Sequence, residues 1–458
     1  MKKLLNCLFL LLIVSCKKHE KLDHIFFGGH IVNPSSSYVT LYKDNLRIDS
    51  LPLDNSFKFS KVYDSLDLGV YKIEHIPEYN YVFLEKGDSL WVRVNASAFN
   101  ESIVYSGIGA SKNNFMMDLQ LLFENENKFL SSKYSNDSNS FNSLIDSLLI
   151  EKKENWIIMD SLVKLSPIAQ KITQAAYIYP YATKRERYAL LRGSNWNKEQ
   201  DSLFFKYRKY LNYGENDLAF FDPYITYLMN YINERALDSS ENFFLNKGKI
   251  KFNIKRLEII ENEIKGNTIK NNLARAIAYE EILNSENHKE HDRFLQYYFT
   301  VNSSKSYLEE VLTLHQGIRL MGQNKILPKL KLQNHKLDTI VSSSLFKRPT
   351  VIYFWSQTQM NHFRSTIKKV KKLELEFPNY DFFGICIQPY NEIVTQVHQM
   401  MRVERDKQYA FLNFEDASKK WVLTLLNKAI IVDKNGIIKN GFANFASPDF
   451  SEELRELN

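Results

Sequence analysis

Residues able to do chemistry are sparse in this chain, and their positions are informative. Of 458 residues only three are cysteines, Cys7, Cys16 and Cys386. Cys386 sits among Phe382, Phe383, Ile385 and Ile387, a setting in which burial keeps a thiol protonated and inert. Thiol–disulfide exchange needs a thiolate to attack and a second thiol to resolve the mixed disulfide, so a one-cysteine enzyme is not expected. His288, Glu290 and His291 suggest a metal site, but their spacing is not that of a zincin helix and no third ligand is apparent; a solvated loop is expected there. His362 and Met360, with His398, Met400 or Met401, offer the imidazole and thioether groups that copper accepts. Nothing in the sequence makes them converge, so no metal ligand and no cofactor is assigned. Tyr177, Tyr179 and Tyr181 beside Lys184, Arg185 and Arg187 could form a recognition surface, but aromatic helix faces of this kind are expected to pack. The turn Gly87-Asp88-Ser89 has residues that a hairpin needs for its own geometry.

The element best able to position a site is Val351 to His362. Thr350–Trp355 is a run of β-branched and aromatic residues that reads as a buried central strand. After a short polar turn the period changes: Met360, Phe363, Ile367, Val370, Leu373 and Phe377 recur at three and four and make one apolar helix face. Lys368, Lys369, Lys371 and Lys372 lie opposite, and Pro378 stops the helix.

This strand–turn–helix, with Phe354-Trp355 at its corner, resembles the active-site segment of TlpA-like thioredoxin-fold proteins, whose family activity is thiol–disulfide oxidoreduction. That family has Phe-Trp-Ala-x-Trp-Cys-x-x-Cys here, and the resemblance places Gln359 and His362 at the two cysteine positions. It also places Asn427, within Leu426-Asn427-Lys428, where the family has a cis-proline facing the dithiol. Trp355, Gln359, His362 and Asn427 are thus the positions of a degenerate active site, and no catalytic residue is assigned. Asn427 is expected to turn its side chain onto local backbone, with its loop relaxed away from Gln359.

The resemblance covers the remainder of the chain from Ile326. Leu327-Pro328-Lys329-Leu330-Lys331-Leu332 looks like its first strand, and Asp381–Ile387 like the second central strand, parallel to Val351–Trp355. Asn391–Met401 and Ala417–Leu426 are expected helices, Ala429–Gly436 a strand and hairpin turn, and Ser451–Leu457 the closing helix. Upstream, residues 25–110 show short strands (Tyr38–Tyr42, Phe57–Val62, Val70–Glu74, Tyr81–Leu84, Ser89–Val94, Ile103–Tyr105), with Gly28-Gly29, Asn33-Pro34, Asp54-Asn55 and Lys86-Gly87-Asp88 as turns. That spacing predicts an antiparallel β-sandwich, and it resembles the β-domain of unknown function that often precedes the thioredoxin unit in such lipoproteins. Residues 111–325 read as a central all-α region. Ser166-Pro167 and Asp222-Pro223 start helices there, and Ser306-Tyr307-Leu308-Glu309 reads as a capping box. The fold class expected is therefore multidomain α+β: a β-sandwich, a helical domain, and a thioredoxin-like α/β domain over residues 326–458.

The net charge of +7 falls to about +5 when Lys2 and Lys3 leave with a leader. No basic stripe interleaved with aromatics accompanies it, which argues against nucleic acid as a partner. Residues 1–15 read as a signal peptide, with two lysines and an apolar run from Leu8 to Val14. Ile13-Val14-Ser15-Cys16 resembles the bacterial lipoprotein cleavage box, which implies lipid on Cys16 followed by a tether over residues 16–24. The expected address is the envelope of a Gram-negative bacterium, on the periplasmic or surface face of the outer membrane. The expected role is binding or scaffolding an envelope protein or peptide; the alternative is a substrate-binding partner in a TlpA-like oxidoreductase pathway.

Overall fold

The computed structural model describes residues 23–457 apart from 45, 77, 193–202, 238–242, 247–248, 285–290, 358 and 391. Cys7, Cys16, His288 and Glu290 lie outside the described residues. The chain is mixed α/β with several sheets, and its described residues fall into two compact units. One draws on Met1–Leu245 and Ile264–Ile269, the other on Asn246–Glu263 and Lys270–Asn458.

The first unit begins with eight strands: β1 (Ile25–Val32), β2 (Tyr38–Lys43), β3 (Leu46–Pro52), β4 (Lys58–Tyr63), β5 (Gly69–His75), β6 (Glu78–Leu84), β7 (Ser89–Asn95) and, after the single helical turn α1 (Phe99–Ser102), β8 (Val104–Ile108). They form two four-stranded sheets, in the orders β4-β1-β7-β8 and β3-β2-β5-β6. Alternation supplies the inward residues: Phe27 and Ile31 from β1, Val39 and Leu41 from β2, Tyr71 and Ile73 from β5, and Leu90, Val92 and Val94 from β7 share one buried cluster. Two expectations need correction. The sheets are not wholly antiparallel, because β1 and β7 pair in parallel from Phe26↔Ser89 to Val32↔Asn95. The chain leaves β1 for the other sheet and returns beside it in the same direction. Gly28-Gly29 is not a turn but the middle of β1. A Cβ on Gly29 would lie 2.6 Å from Val92 and 2.8 Å from the Phe59 ring, so glycine is required there by close packing.

Four long helices complete this unit: α2 (Ala110–Ser131), α3 (Ser138–Val163), α4 (Pro167–Arg192) and α5 (Asp222–Ala236). Pro167 opens α4, with Ser166 Oγ accepting from the Ala169 N–H at 3.2 Å. Tyr177, Tyr179, Tyr181, Lys184 and Arg185 are buried in α4, which makes them packing residues. The α2 helix is tied to the strands by Lys112, whose Nζ donates to Glu85 at 2.6 Å and Asp88 at 2.8 Å while its side chain is 3% exposed. Asp88 also accepts from the Glu85 N–H, so the Lys86-Gly87-Asp88 turn is fixed structurally.

The second unit contains α6 (Ile250–Glu263), α7 (Asn267–Asn284, part of this unit from Lys270), α8 (His291–Val301) and α9 (Lys305–Leu320). The helices expected to form one region are thus shared between two units. His291 is buried rather than in a solvated loop. It starts α8 on the same face as Phe294, Leu295 and Tyr298, and its ring lies 5.6 Å from that of His315. The α9 helix starts one residue ahead of the expected capping box, with Ser304 at the N-cap.

A seven-stranded sheet follows, ordered β10-β9-β13-β12-β11-β14-β15. Its strands are β9 (Lys331–Gln333), β10 (Thr339–Val341), β11 (Thr350–Trp355), β12 (Asp381–Cys386), β13 (Gln408–Phe411), β14 (Lys428–Val432) and β15 (Ile438–Asn444). β11, β12 and β13 are parallel neighbours, while β14 and β15 run antiparallel. The helices are α10 (Met360–Glu376), α11 (Glu392–Met401), α12 (Phe414–Trp421) and α13 (Phe450–Glu456). The α12 helix stops at Trp421, short of the expected Leu426, because Val422 takes a left-handed conformation with φ 50°. Phe363, Ile367, Val370 and Leu373 of α10 join Val351, Tyr353 and Trp355 in one core, each side chain worth about 1.5–3 kcal/mol in burial. Gly317 of α9 sits where a Cβ would lie 2.8 Å from the Lys419 carbonyl oxygen of α12.

Lys428, the first residue of β14, is 7% exposed. Its Nζ donates to the Trp421 and Val422 carbonyls at 2.6 and 3.1 Å and lies 4.1 Å from the Phe442 ring centroid. Burial lowers its pKa from 10.5 to about 7. The unfolded chain therefore binds the extra proton between about pH 7 and pH 10, so stability rises with pH across that window. Denaturant titrations should show that rise, and Lys428→Met should flatten it. For the first unit, Lys112→Met leaves two carboxylates without their cation and should cost about 3–5 kcal/mol in denaturant unfolding; a change below about 1 kcal/mol would contradict the anchoring role assigned to Lys112.

Candidate functional site

β11 delivers its last residue, Trp355, to the C-terminal edge of the parallel strands, where open α/β sheets place their sites. Trp355 is fully buried, and its ring stacks on Phe363 of α10 at 4.2 Å between centroids, with an interplanar angle of 30°. That stack joins the end of the strand to the first turns of the helix. Gln359 is the N-cap of α10 and is exposed; its N–H donates to the Ser356 carbonyl at 3.2 Å, and its carbonyl accepts from Phe363 at 3.0 Å. Its side chain makes no cap hydrogen bond.

His362 is half-buried in the first turn of α10, and its Nε2 lies 2.8 Å from Oδ1 of Asn427. Asn427 is in the loop between α12 and β14, and its carbonyl accepts from Phe445 at 2.7 Å. The expectation that the Asn427 side chain would turn onto local backbone is therefore wrong. His362 presents a ring nitrogen within reach, and a pairing between two elements wins over an Asn turn. The structure thus brings together the two positions that the resemblance aligned with the second cysteine and the cis-proline. With the Asn427 Oδ1 as acceptor, Nε2 is the donor of this pair. Nδ1 is buried and has no protein partner among the described residues.

Two further nitrogens share that condition, Nε1 of Trp355 and Nε2 of His398. His398, on α11, is 2% exposed, and its ring lies 5.4 Å from Trp355 and 5.9 Å from Tyr390. Burial, helped by Arg405, holds its pKa down at about 4, so it is neutral at pH 7. Met400 is 66% exposed, while Met360 and Met401 pack partly buried on the core. No cluster of three or more His, Cys, Asp or Glu able to hold a metal occurs among the described residues.

Cys386 closes β12 and is fully buried; burial, as the main cause, pushes its thiol up to about 12. Its Sγ lies 3.4 Å from Oε1 of Gln388, which also accepts from the Gln357 N–H at 3.1 Å, while Gln388 Nε2 donates to Ser356 Oγ at 2.8 Å. Gln388 therefore holds the β11–α10 turn against the end of β12. Sequence reading missed this residue, although its place just beyond the second parallel strand was a usable signal. Among the described residues no second thiol stands beside Cys386. The exposed part of this corner is the N-cap residue Gln359 of α10; the nitrogens of Trp355, His362 and His398 named above are buried beside it.

No family model matches this chain, and no curated protein matches it either. Solved structures do. The chain is similar to the thioredoxin domain of a thiol-disulfide oxidoreductase from Bacteroides vulgatus at 12% identity, over 30% of this chain and 99% of that one, with a TM-score of 0.24. It is similar to a thiol-disulfide oxidoreductase from Bacteroides fragilis at 20% identity, over 29% of this chain and 100% of that one, with a TM-score of 0.25. A thiol:disulfide interchange protein from a Bacteroides species is similar at 11% identity, over 30% and 89% of the two chains, with a TM-score of 0.23. These three solved structures, two thiol-disulfide oxidoreductases and one thiol:disulfide interchange protein, are each matched over less than a third of this chain.

Proposed function

We propose that this chain is a binding or scaffolding lipoprotein whose C-terminal thioredoxin-like domain, related to thiol-disulfide oxidoreductases, has lost redox chemistry. The observation that carries the reading is the pairing of His362 with Asn427 across the place where the resemblance puts dithiol and cis-proline. A site that had merely drifted in register would not join those two positions. Cys386 supports it: a thiol pushed up to about 12 and fully buried at the end of β12 supplies almost no thiolate near neutral pH. The occupant we propose is an extended peptide segment of an envelope partner, laid along the N-terminus of α10, where the Gln359 side chain is exposed and makes no cap hydrogen bond. The leader and the Ile13-Val14-Ser15-Cys16 box support anchoring through lipid on Cys16. No helix among the described residues is long and apolar enough to cross a membrane.

Purified mature protein should reduce insulin with dithiothreitol no faster than the uncatalysed rate. Turnover that Cys386→Ala abolishes would end the redox-inactive reading. The paired substitution Gln359→Cys with His362→Cys should form a disulfide readily; a pair that stays reduced under oxidising conditions would show that the turn does not superpose on a dithiol site. Anchoring is tested separately: the exported protein should partition into detergent, and Cys16→Ser should leave it soluble or uncleaved. Wild-type protein that is unmodified and fully soluble would refute the lipid assignment.

A further inference from the structure

The first unit holds an open cleft of about 470 Å³ walled by β6, α1, α2, α4 and the first turn of α5. Its volume is in the range of small-molecule sites, about 300–1,000 Å³. We infer that this cleft binds a neutral saccharide, independently of the thioredoxin-like domain.

The polar wall is built rather than incidental. Asn80 of β6 is 5% exposed. Its Nδ2 donates to Asn100 Oδ1 at 2.8 Å and to Gln120 Oε1 at 3.2 Å, while its Oδ1 accepts from the Tyr81 N–H at 2.6 Å. One buried amide thus fixes the orientation of two others. Asn100 and Gln120 line the cleft with their oxygens turned to Asn80, so their NH₂ groups remain as donors, and they donate to no protein group among the described residues. Acceptors face the same space. Pro180, inside α4, has no N–H for the carbonyl of Ala176, and both residues line the cleft. Glu124 stands on α2, and Asp222, which accepts from Tyr81 Oη at 2.8 Å, stands at the start of α5.

The ligand class follows from what this wall can and cannot satisfy. Among the described residues no lysine or arginine lines the cleft; Lys184 Nζ, behind it, donates to Asn127 Oδ1 at 2.6 Å and Lys72, over the Tyr79 ring, pairs with Glu74 at 3.1 Å, so a phosphate or carboxylate ligand would chiefly face Glu78, Glu124 and Asp222. A cation would meet the amide donors of Asn100 and Gln120. A purely apolar ligand would leave those donors desolvated and unpaired, at about 1–3 kcal/mol each. Vicinal hydroxyls both donate and accept, which matches amide N–H groups alternating with carbonyl and carboxylate oxygens. The C–H face of a sugar has its counterpart in buried Met117, Leu119 and Phe221 and in the ring of Tyr79, which is 47% exposed and meets Tyr81 edge-on at 6.0 Å.

Calorimetry and saturation-transfer NMR on the full chain with maltose, cellobiose, lactose and N,N′-diacetylchitobiose test this. At least one should bind at millimolar concentration or below. Gln120→Leu and Asn100→Leu should each weaken it about tenfold or more, roughly 1.4 kcal/mol; each also takes one acceptor from Asn80. Should either variant lower the thermal midpoint, Tyr79→Ala decides, because an exposed ring can be removed without loss of fold and should still weaken binding. Failure of all four sugars to bind would overturn the inference. So would binding that survives the variants, or tighter binding of spermidine or inorganic phosphate in the same cleft. None of these outcomes bears on the His362–Asn427 site, which lies in the other unit.

Discussion

The second unit depends on β11 having no solvent-facing side. All six residues from Thr350 to Trp355 are buried, although successive side chains of a strand point to opposite faces. A strand buried on both faces must be covered by helices on both. Parallel pairing with β12 then requires the crossover that α10 provides. The end of β11, the start of α10 and the end of β12 are thereby brought to one edge. The Trp355–Phe363 stack and the Gln388 amide lock that corner, whatever chemistry the corner performs.

This constraint explains which features could be read from sequence. Hydrophobic period is a local signal, and it located β11, α10 and β12 closely and marked the proline starts of α4 and α5. Gly28-Gly29 was misread because a turn and a close approach both require glycine, and only the position of Val92 and Phe59 distinguishes them. His291 and Asn427 failed for a related reason. A polar residue near a loop is locally a surface residue, and its partner, His315 or His362, is remote in sequence. The site positions were legible as positions through the family resemblance, but the contact between two of them was not. Gln388 had only its position just beyond β12 as a signal; its importance arises from three hydrogen-bonding partners, Cys386, Gln357 and Ser356, that the fold assembles.

The two candidate sites differ in physical kind. Around Trp355, buried nitrogens stand without protein partners in apolar surroundings, and each such atom costs about 1–3 kcal/mol unless an occupant or solvent meets it. A site of this sort favours whatever restores those bonds, and it needs no ionised group to do so. The cleft of the first unit is open and graded instead, with a buried amide at its base, half-buried amides above it and carboxylates at the rim. Its selectivity would come from matching donors to acceptors, not from charge.

Gly317 has a consequence for the order of events during synthesis. Gly317 of α9 packs against the Lys419 carbonyl of α12 in the finished protein, and Val311 and Ile318 of the same helix are buried. The α12 helix lies about a hundred residues further along the chain and so, in a chain that emerges N-terminus first, follows α9 after an interval. Through that interval α9 cannot reach its final packing, and its apolar face is available to chaperones. The seven-stranded sheet cannot complete its outer layer until α12 emerges and closes on the one helical position that has no side chain to obstruct it.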